Sequence, residues 1–324
     1  MGWCTLSNPM ILIVGMGIAS AGMAQPSPHP CQDPTLTRLA LKHVQEGADA
    51  ESLWEEAMLE DADFPWMAIL RLEAEEALEP HLNSLGLDQK AMRCGEVQRE
   101  EGRVVAIAPY EGSISVKGNR IEWTIAPGLE QPLLFIWEEG DEPRFVRLGK
   151  DRTLVLLEAL RLPAQLQLLA SDARGPRPVA WRWLGAAPAL EAHLIRGPEA
   201  LAQLRRERSL APLRLNRILA RAAAHYAQEI CGKGRLTHIN ASGGPEERLR
   251  LEGIEARHVS EVLARARSAE KAWEALLRSP SHRFALLDRR MTDFGVGEAQ
   301  AGDFYCVVVW LAAWPRYLGP SVSS

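Results

Sequence analysis

The residues of this 324-residue chain whose types and spacing could do chemistry gather in its last third. Two histidines lead: His238, closing the run Gly234-Arg-Leu-Thr-His238, and His282, inside Arg278-Ser-Pro-Ser-His282. If Ser279 caps a helix and Pro280 takes its first position, His282 falls at the third, within the positive end of the helix dipole. That field disfavours an imidazolium and keeps the ring neutral, the form that ligates a divalent transition metal or accepts a proton. Between the two in sequence lies a carboxylate, Glu261, in Val259-Ser-Glu261. Each residue also has a plainer reading. His238 is then a loop histidine bonded to backbone, Glu261 a surface carboxylate paired with Arg265 one turn on, and His282 a residue that satisfies the helix terminus.

Other candidate motifs fall away. Met10-Ile-Leu-Ile-Val-Gly15-Met-Gly17 imitates the glycine turn of a dinucleotide fold, but Pro26, Pro28 and Pro30 stand where a helix must continue. The apolar run is too short to span a bilayer and Gly22-Met-Ala24 ends in small residues, so residues 1–24 read as an export signal cleaved after Ala24. Ser242 and Ser281 lie near the histidines, yet neither occupies a strand-to-helix nucleophile turn. His225, four residues before Glu229, reads as helix surface; His258 precedes the Glu261 element; His29, His43, His81 and His193 have no partner pattern. Asn240-Ala-Ser242 is a formal glycosylation sequon.

The elements that must position these residues follow from periodicity. From Gly197 the chain is helical: a short helix over Leu201 to Arg208, a longer one over Leu213 to Ile230 stopped by Gly232 and Gly234, and a third opened by Ser268. Strand-like runs Phe294 to Glu298 and Phe304 to Ala312 finish it. Ahead of it, Arg103 to Trp183 alternates in short runs such as Ile121 to Ile125, Leu133 to Trp137 and Ala164-Gln-Leu-Gln-Leu168, broken by Gly118-Asn, Pro127-Gly and Gly140-Asp. That is the spacing of a sandwich of about seven strands. From Asp33 to Met92 three helical stripes are predicted, on Leu36 to Val44, Leu53 to Met58, and Trp66, Ile69, Leu70 and Ala74.

Composition sets the class. Apolar residues at 47% and charged residues at 24% exclude both a disordered chain and a multi-span membrane protein. Charge is unevenly spread: residues 196–324 carry 20 Lys and Arg against 14 Asp and Glu, the remainder 17 against 28. The last third thus suits an anionic surface. No basic run is dense or aromatic-interleaved enough for nucleic acid. Removing the signal leaves Cys31, Cys94, Cys231 and Cys306, an even number that suits an oxidising compartment. Three pairings are possible; Cys31 with Cys94 and Cys231 with Cys306 is preferred because each pair then lies within one half of the chain, and four buried free thiols is the alternative.

Taken in order, the helix ending in Gly, His238, Arg248-Leu-x-x-Glu-Gly253, Val259-Ser-Glu261, Arg278-Ser-Pro-Ser-His282-Arg and Phe294-Gly-Val-Gly297 resemble the CAP superfamily, the SCP-like or cysteine-rich secretory and pathogenesis-related proteins. The resemblance covers about residues 196–316. It implies an α-β-α sandwich whose cleft is lined by His238, Glu261 and His282, a set that would take zinc or another divalent metal. This chain departs from the family pattern at Val262, where relatives carry Asn, at Ser281 in place of Gly, and at Leu276 in place of Trp. The expected organisation is α+β and multidomain: signal peptide 1–24, acidic helical region 25–95, β-sandwich 96–190 and the CAP-type domain 196–316. The expected function is that of a secreted protein, periplasmic or extracellular, that binds an anionic envelope, lipid or matrix component without catalysis and has no membrane span after signal removal. The alternative is a metal-assisted hydrolase of peptidase or esterase type, with Glu261 activating water at a metal held by His238 and His282.

Overall fold

A computed structural model describes residues 31–60, 62–84, 91–186 and 197–314. The predicted export signal, His29 and His193 lie outside the described residues. Three units follow one another, each with its own apolar core, and the architecture is α+β and multidomain.

The first unit is not purely helical. Helices α1 (Pro34–Glu46) and α2 (Ala50–Leu59) form on the two predicted stripes, capped by Asp33 and Asp49. The third stripe is instead strand β1 (Ala68–Leu72), followed by α3 (Glu79–Ser84), β2 (Met92–Arg99) and β3 (Gly102–Pro109). These strands form a sheet in the order β1-β3-β2. Leu36, Leu39 and Ala40 of α1 pack on Val104, Ala106 and Ala108 of β3. A Cβ at Gly95 would meet the Thr37 backbone nitrogen at 2.0 Å, so only glycine lets α1 lie this close. The Cys31–Cys94 disulfide ties the start of the unit to β2. Because β2 runs across the boundary expected at 95/96 and β3 pairs with β1 and β2, residues up to Pro109 belong with the helices.

The second unit is a two-sheet sandwich of seven strands: β4 (Gly112–Lys117), β5 (Arg120–Ile125), β6 (Glu130–Glu138), β7 (Arg144–Arg147), β8 (Thr153–Val155), β9 (Ala164–Asp172) and β10 (Gly175–Leu184). Sheet β4-β5-β8 faces sheet β10-β9-β6-β7 across Ile114, Ile121, Trp123, Leu134, Ile136, Leu166 and Leu168. On a sheet with one bare face, the alternation in Ala164-Gln-Leu-Gln-Leu168 would leave the glutamines in solvent. Gln165 and Gln167 are nevertheless only 2% and 0% exposed, because the outer face of this sheet is covered by the neighbouring units. Trp181 and Trp183 lie edge-on against Trp54 of α2.

The third unit comprises α4 (Pro198–Glu207), β11 (Arg214–Leu215), α5 (Arg217–Gly232), α6 (Pro245–Leu251), β12 (His258–Ala266), α7 (Ala269–Arg278), α8 (Pro280–Leu286), β13 (Asp293–Ala301) and β14 (Phe304–Ala313). Its sheet runs β11-β13-β14-β12. Along β14, Val307, Val309 and Leu311 face a core shared with α4, α7 and α8, while Cys306, Val308, Trp310 and Ala312 face one shared with α5 and α6. An unbroken apolar strand is what a sheet covered on both faces requires. The result is a three-layer α-β-α sandwich. Gly295 and Gly297 let α5 rest directly on β13: a Cβ at Gly297 would lie 2.0 Å from the Ala223 carbonyl carbon. Cys231 of α5 is disulfide-bonded to Cys306 of β14.

Candidate functional site

The site forms at the β12 edge of the last sheet. In β12, Val262 and Ala264 point into the core with α7 and α8, which puts Glu261 and Leu263 on the α5 face. Glu261 is paired in register with Trp310 of β14. Its side chain is 0% exposed. Oε1 lies 2.9 Å from His238 Nδ1, and Oε2 accepts from the Arg248 guanidinium and from the Trp310 indole N–H. A buried carboxylate is tolerated when it is hydrogen-bonded and paired in this way.

Arg248 is the hub that sequence reading missed. Only 7% exposed, it also donates to the carbonyls of His238 and Gly243, each at 2.9 Å. Its guanidinium lies 3.8 Å from the centre of the Tyr226 ring, which stacks in turn on Trp310. The Tyr226 hydroxyl donates to the Thr237 carbonyl, and burial pushes its pKa up. Within Arg248-Leu-x-x-Glu-Gly253 the arginine was in view, but nothing local ties it to a carboxylate 13 residues on.

His282 is where the helix-cap reading put it. Ser279 caps α8, its hydroxyl accepting from the His282 N–H, and Pro280 is the first helical residue. The side chain is half-buried and its Nδ1 is buried without a partner. Burial, and secondly the charge on His238, push its pKa down to about 3 against the opposing pull of the Ala275 carbonyl, so the ring is neutral.

The structure thus joins a partly exposed His238 to a fully buried Glu261 and brings His282 into the electrostatic range of His238. Both Glu261 oxygens are taken by donors, so Glu261 has no oxygen free for a metal, whereas the His238 Nε2 lies outside the Nδ1–Glu261 pair. Among the described residues, the one set of three whose ligand atoms lie within 4.8 Å of one another is Glu51, Glu55 and Glu274, each already ion-paired with Lys271 or Arg278. In this arrangement Glu261 is the carboxylate that orients the His238 ring. The alternative pairing with Arg265 also fails, since Arg265 lies over the Phe304 ring at 3.5 Å.

The remaining histidines serve local structure. His43 Nδ1 lies 2.7 Å from the Ala48 carbonyl, His81 bonds Glu76, and His225 is helix surface, 4.0 Å from Glu252. His258 opens β12, opposite Ala313. Asn240 donates to Glu229 and accepts from the Ser242 N–H. A cavity of about 420 Å³ opens between Arg174 of the β9–β10 turn and Glu229, Lys233 and Arg235, with Thr237 and Ile239 on its wall. His238 is not among the residues that line it.

A three-layer α-β-α domain whose sheet edge carries a histidine-carboxylate-arginine cluster is the class that fold and site define. The family described as the cysteine-rich secretory protein family, CAP, matches residues 199–311, and this part of the chain is a CAP domain. Solved structures similar to the chain include an outer surface protein of Borrelia burgdorferi, 23% identical, covering 36% of this chain and 90% of that one at a TM-score of 0.35. An extracellular SCP-domain protein of Bacillus anthracis is 18% identical and covers 63% of this chain and 67% of its own at 0.32. A cysteine-rich secretory protein of Staphylococcus aureus is 12% identical and covers 82% and 90% at 0.29. No curated protein matches the chain.

Proposed function

We propose that this chain is an exported, non-enzymatic binding protein of the cell envelope or extracellular space, whose CAP domain contacts an anionic surface. The observation that carries this reading is the saturation of Glu261. A general base must reach its proton through a free oxygen, and both oxygens here are held by His238, Arg248 and Trp310 inside the protein. The same observation weighs against the metal-assisted hydrolase, which needs Glu261 at a water.

Two disulfides support an oxidising destination, and no helix among the described residues is long and apolar enough to cross a membrane. The basic balance of residues 196–324 supports the anionic partner. At the start of α5, exposed Arg217 and Arg221 flank Ile218, 48% exposed, beside Leu215, 61% exposed. The test is cosedimentation of the full chain with phosphatidylcholine–phosphatidylglycerol vesicles and with isolated cell wall. Retention should be lost as salt rises from about 0.1 M to about 1 M and the Debye length falls from about 10 Å to about 3 Å. Absent retention, or retention indifferent to salt, overturns the reading.

A further inference from the structure

We infer that the β-sandwich is a cis cover for the histidine edge of the CAP domain, one that must lift before a large partner can reach His238 and His282. The inference rests on the CAP domain being the binding unit proposed above and extends that role to its histidine edge, but the cover has its own geometry and its own test.

The cover touches the edge at two places. At the first, the β9–β10 turn presents one backbone carbonyl, that of Arg174, to the whole His238 loop. It accepts from the His238 N–H at 2.9 Å, the Ile239 N–H at 3.0 Å and the Thr237 hydroxyl at 3.1 Å. The next residue must be glycine: Gly175 has φ +92°, and a Cβ there would lie 3.0 Å from the His238 Cβ. The turn is held in shape by side chains of its own unit, Asp172 gripping Arg174 and Arg177, and Arg177 gripping Glu111. At the second place, Gln167, fully buried, reaches from β9 to the start of α8. Its Nε2 donates to Ser279 Oγ at 3.1 Å and its Oε1 accepts from the Ser281 N–H at 2.9 Å. Ser279 is His282's own cap and Ser281 the residue before it.

The contact has the make-up of a surface that can part. Around Gln167 lie the Phe284 ring edge-on to Phe135 and Phe145, and Arg283 over Trp137 at 4.2 Å. The rim is held by polar and charged contacts, Arg208 to the Gly140 carbonyl and Arg289 to Glu142. An aromatic centre with a polar rim is more separable than an all-apolar interface between units of one chain.

Native-state hydrogen exchange on the full chain tests this without any ligand. In the closed state the His238 and Ile239 amides are bonded to Arg174. If the cover lifts, they exchange at least tenfold faster than the Val308 and Val309 amides of β14, yet at least tenfold slower than an unprotected loop. Gln167→Ala, whose lost bonds are to Ser279 and Ser281, should speed exchange at His238 and Ile239 at least tenfold more while β14 is unchanged. Gly175→Val should do the same from the other contact. Carbethoxylation of His282, read by mass spectrometry, should rise in both variants. Amides that exchange together with β14, or that stay unmoved by Gln167→Ala, overturn the inference: the first means a permanent interface and the second means two unlinked contacts. Unprotected His238 and Ile239 amides in the unaltered chain overturn it as well. Failure of vesicle and cell-wall binding would sink the proposed function and leave these exchange results standing.

Discussion

Replacing either member of the Glu261–Arg248 pair should unfold the CAP domain far more readily than a surface substitution would, and replacing both should cost less than the sum. Glu261→Gln leaves the Arg248 guanidinium, 7% exposed, facing a neutral amide. Breaking a buried ion pair from one side costs about 3–5 kcal/mol. Arg248 keeps two carbonyl partners and the Tyr226 ring, and glutamine can still accept from one donor, so the lower end, about 3 kcal/mol, is expected. Arg248→Met strands a carboxylate that is 0% exposed and retains only His238 and Trp310, and about 4 kcal/mol is expected. In the double variant Glu261→Gln with Arg248→Met no charge is stranded, so the coupling should be at least about 2 kcal/mol. A chain of three units gives no single melting point. The assay is therefore native-state exchange of the Val308 and Val309 amides, which report the CAP domain alone. Single losses below about 1 kcal/mol, or additive losses, would refute the claim that this pair is buried and interdependent.

Two further outcomes follow from the same domain. Gly297→Ala puts a Cβ 2.0 Å from the Ala223 carbonyl carbon and 2.1 Å from the Ala224 nitrogen, both α5 backbone, and should destabilise the CAP domain by about 3 kcal/mol or more as α5 is forced off β13; a loss under about 1 kcal/mol in the same exchange assay would mean the helix yields freely. The native pKa of His282, about 3, lies below its unfolded value near 6.5. Its native preference for the neutral ring is therefore fully satisfied above about pH 6.5, and stability falls as pH drops from there toward 3, by at most about 1.4 kcal/mol per pH unit. His282→Gln should remove that slope between about pH 6.5 and about pH 4, and equal slopes in the two proteins would exclude His282 as its source.

Much of this fold was legible because local chemistry and tertiary packing agree. Ser268 and Ser279 cap the helices that their positions announce, and the β14 run is apolar throughout because helices cover both faces. Where tertiary cover decides, the reading failed. Trp66, Ile69, Leu70 and Ala74 match a helical period, but in so short a run the period is ambiguous, and pairing with β3 makes β1. Burial of Gln165 and Gln167 is likewise unmarked, since their alternating positions look the same whether or not another unit covers the sheet. His282 could be placed from its cap alone. The company of Glu261 could not, since Trp310 and Arg248 are 49 and 13 residues away and carry no shared local pattern. The Arg174 carbonyl that receives the His238 loop is a backbone atom, which sequence does not mark at all.

Turnover of peptide and ester libraries by the purified full chain, with and without a chelator and beside Glu261→Gln, puts the saturated carboxylate to the most direct test. No chelator-sensitive hydrolysis should be found, and the two proteins should give the same background. Hydrolysis that the chelator stops, and that Glu261→Gln abolishes while the β14 amides stay protected, would mean that Glu261 does reach a reacting water and that the binding role is wrong.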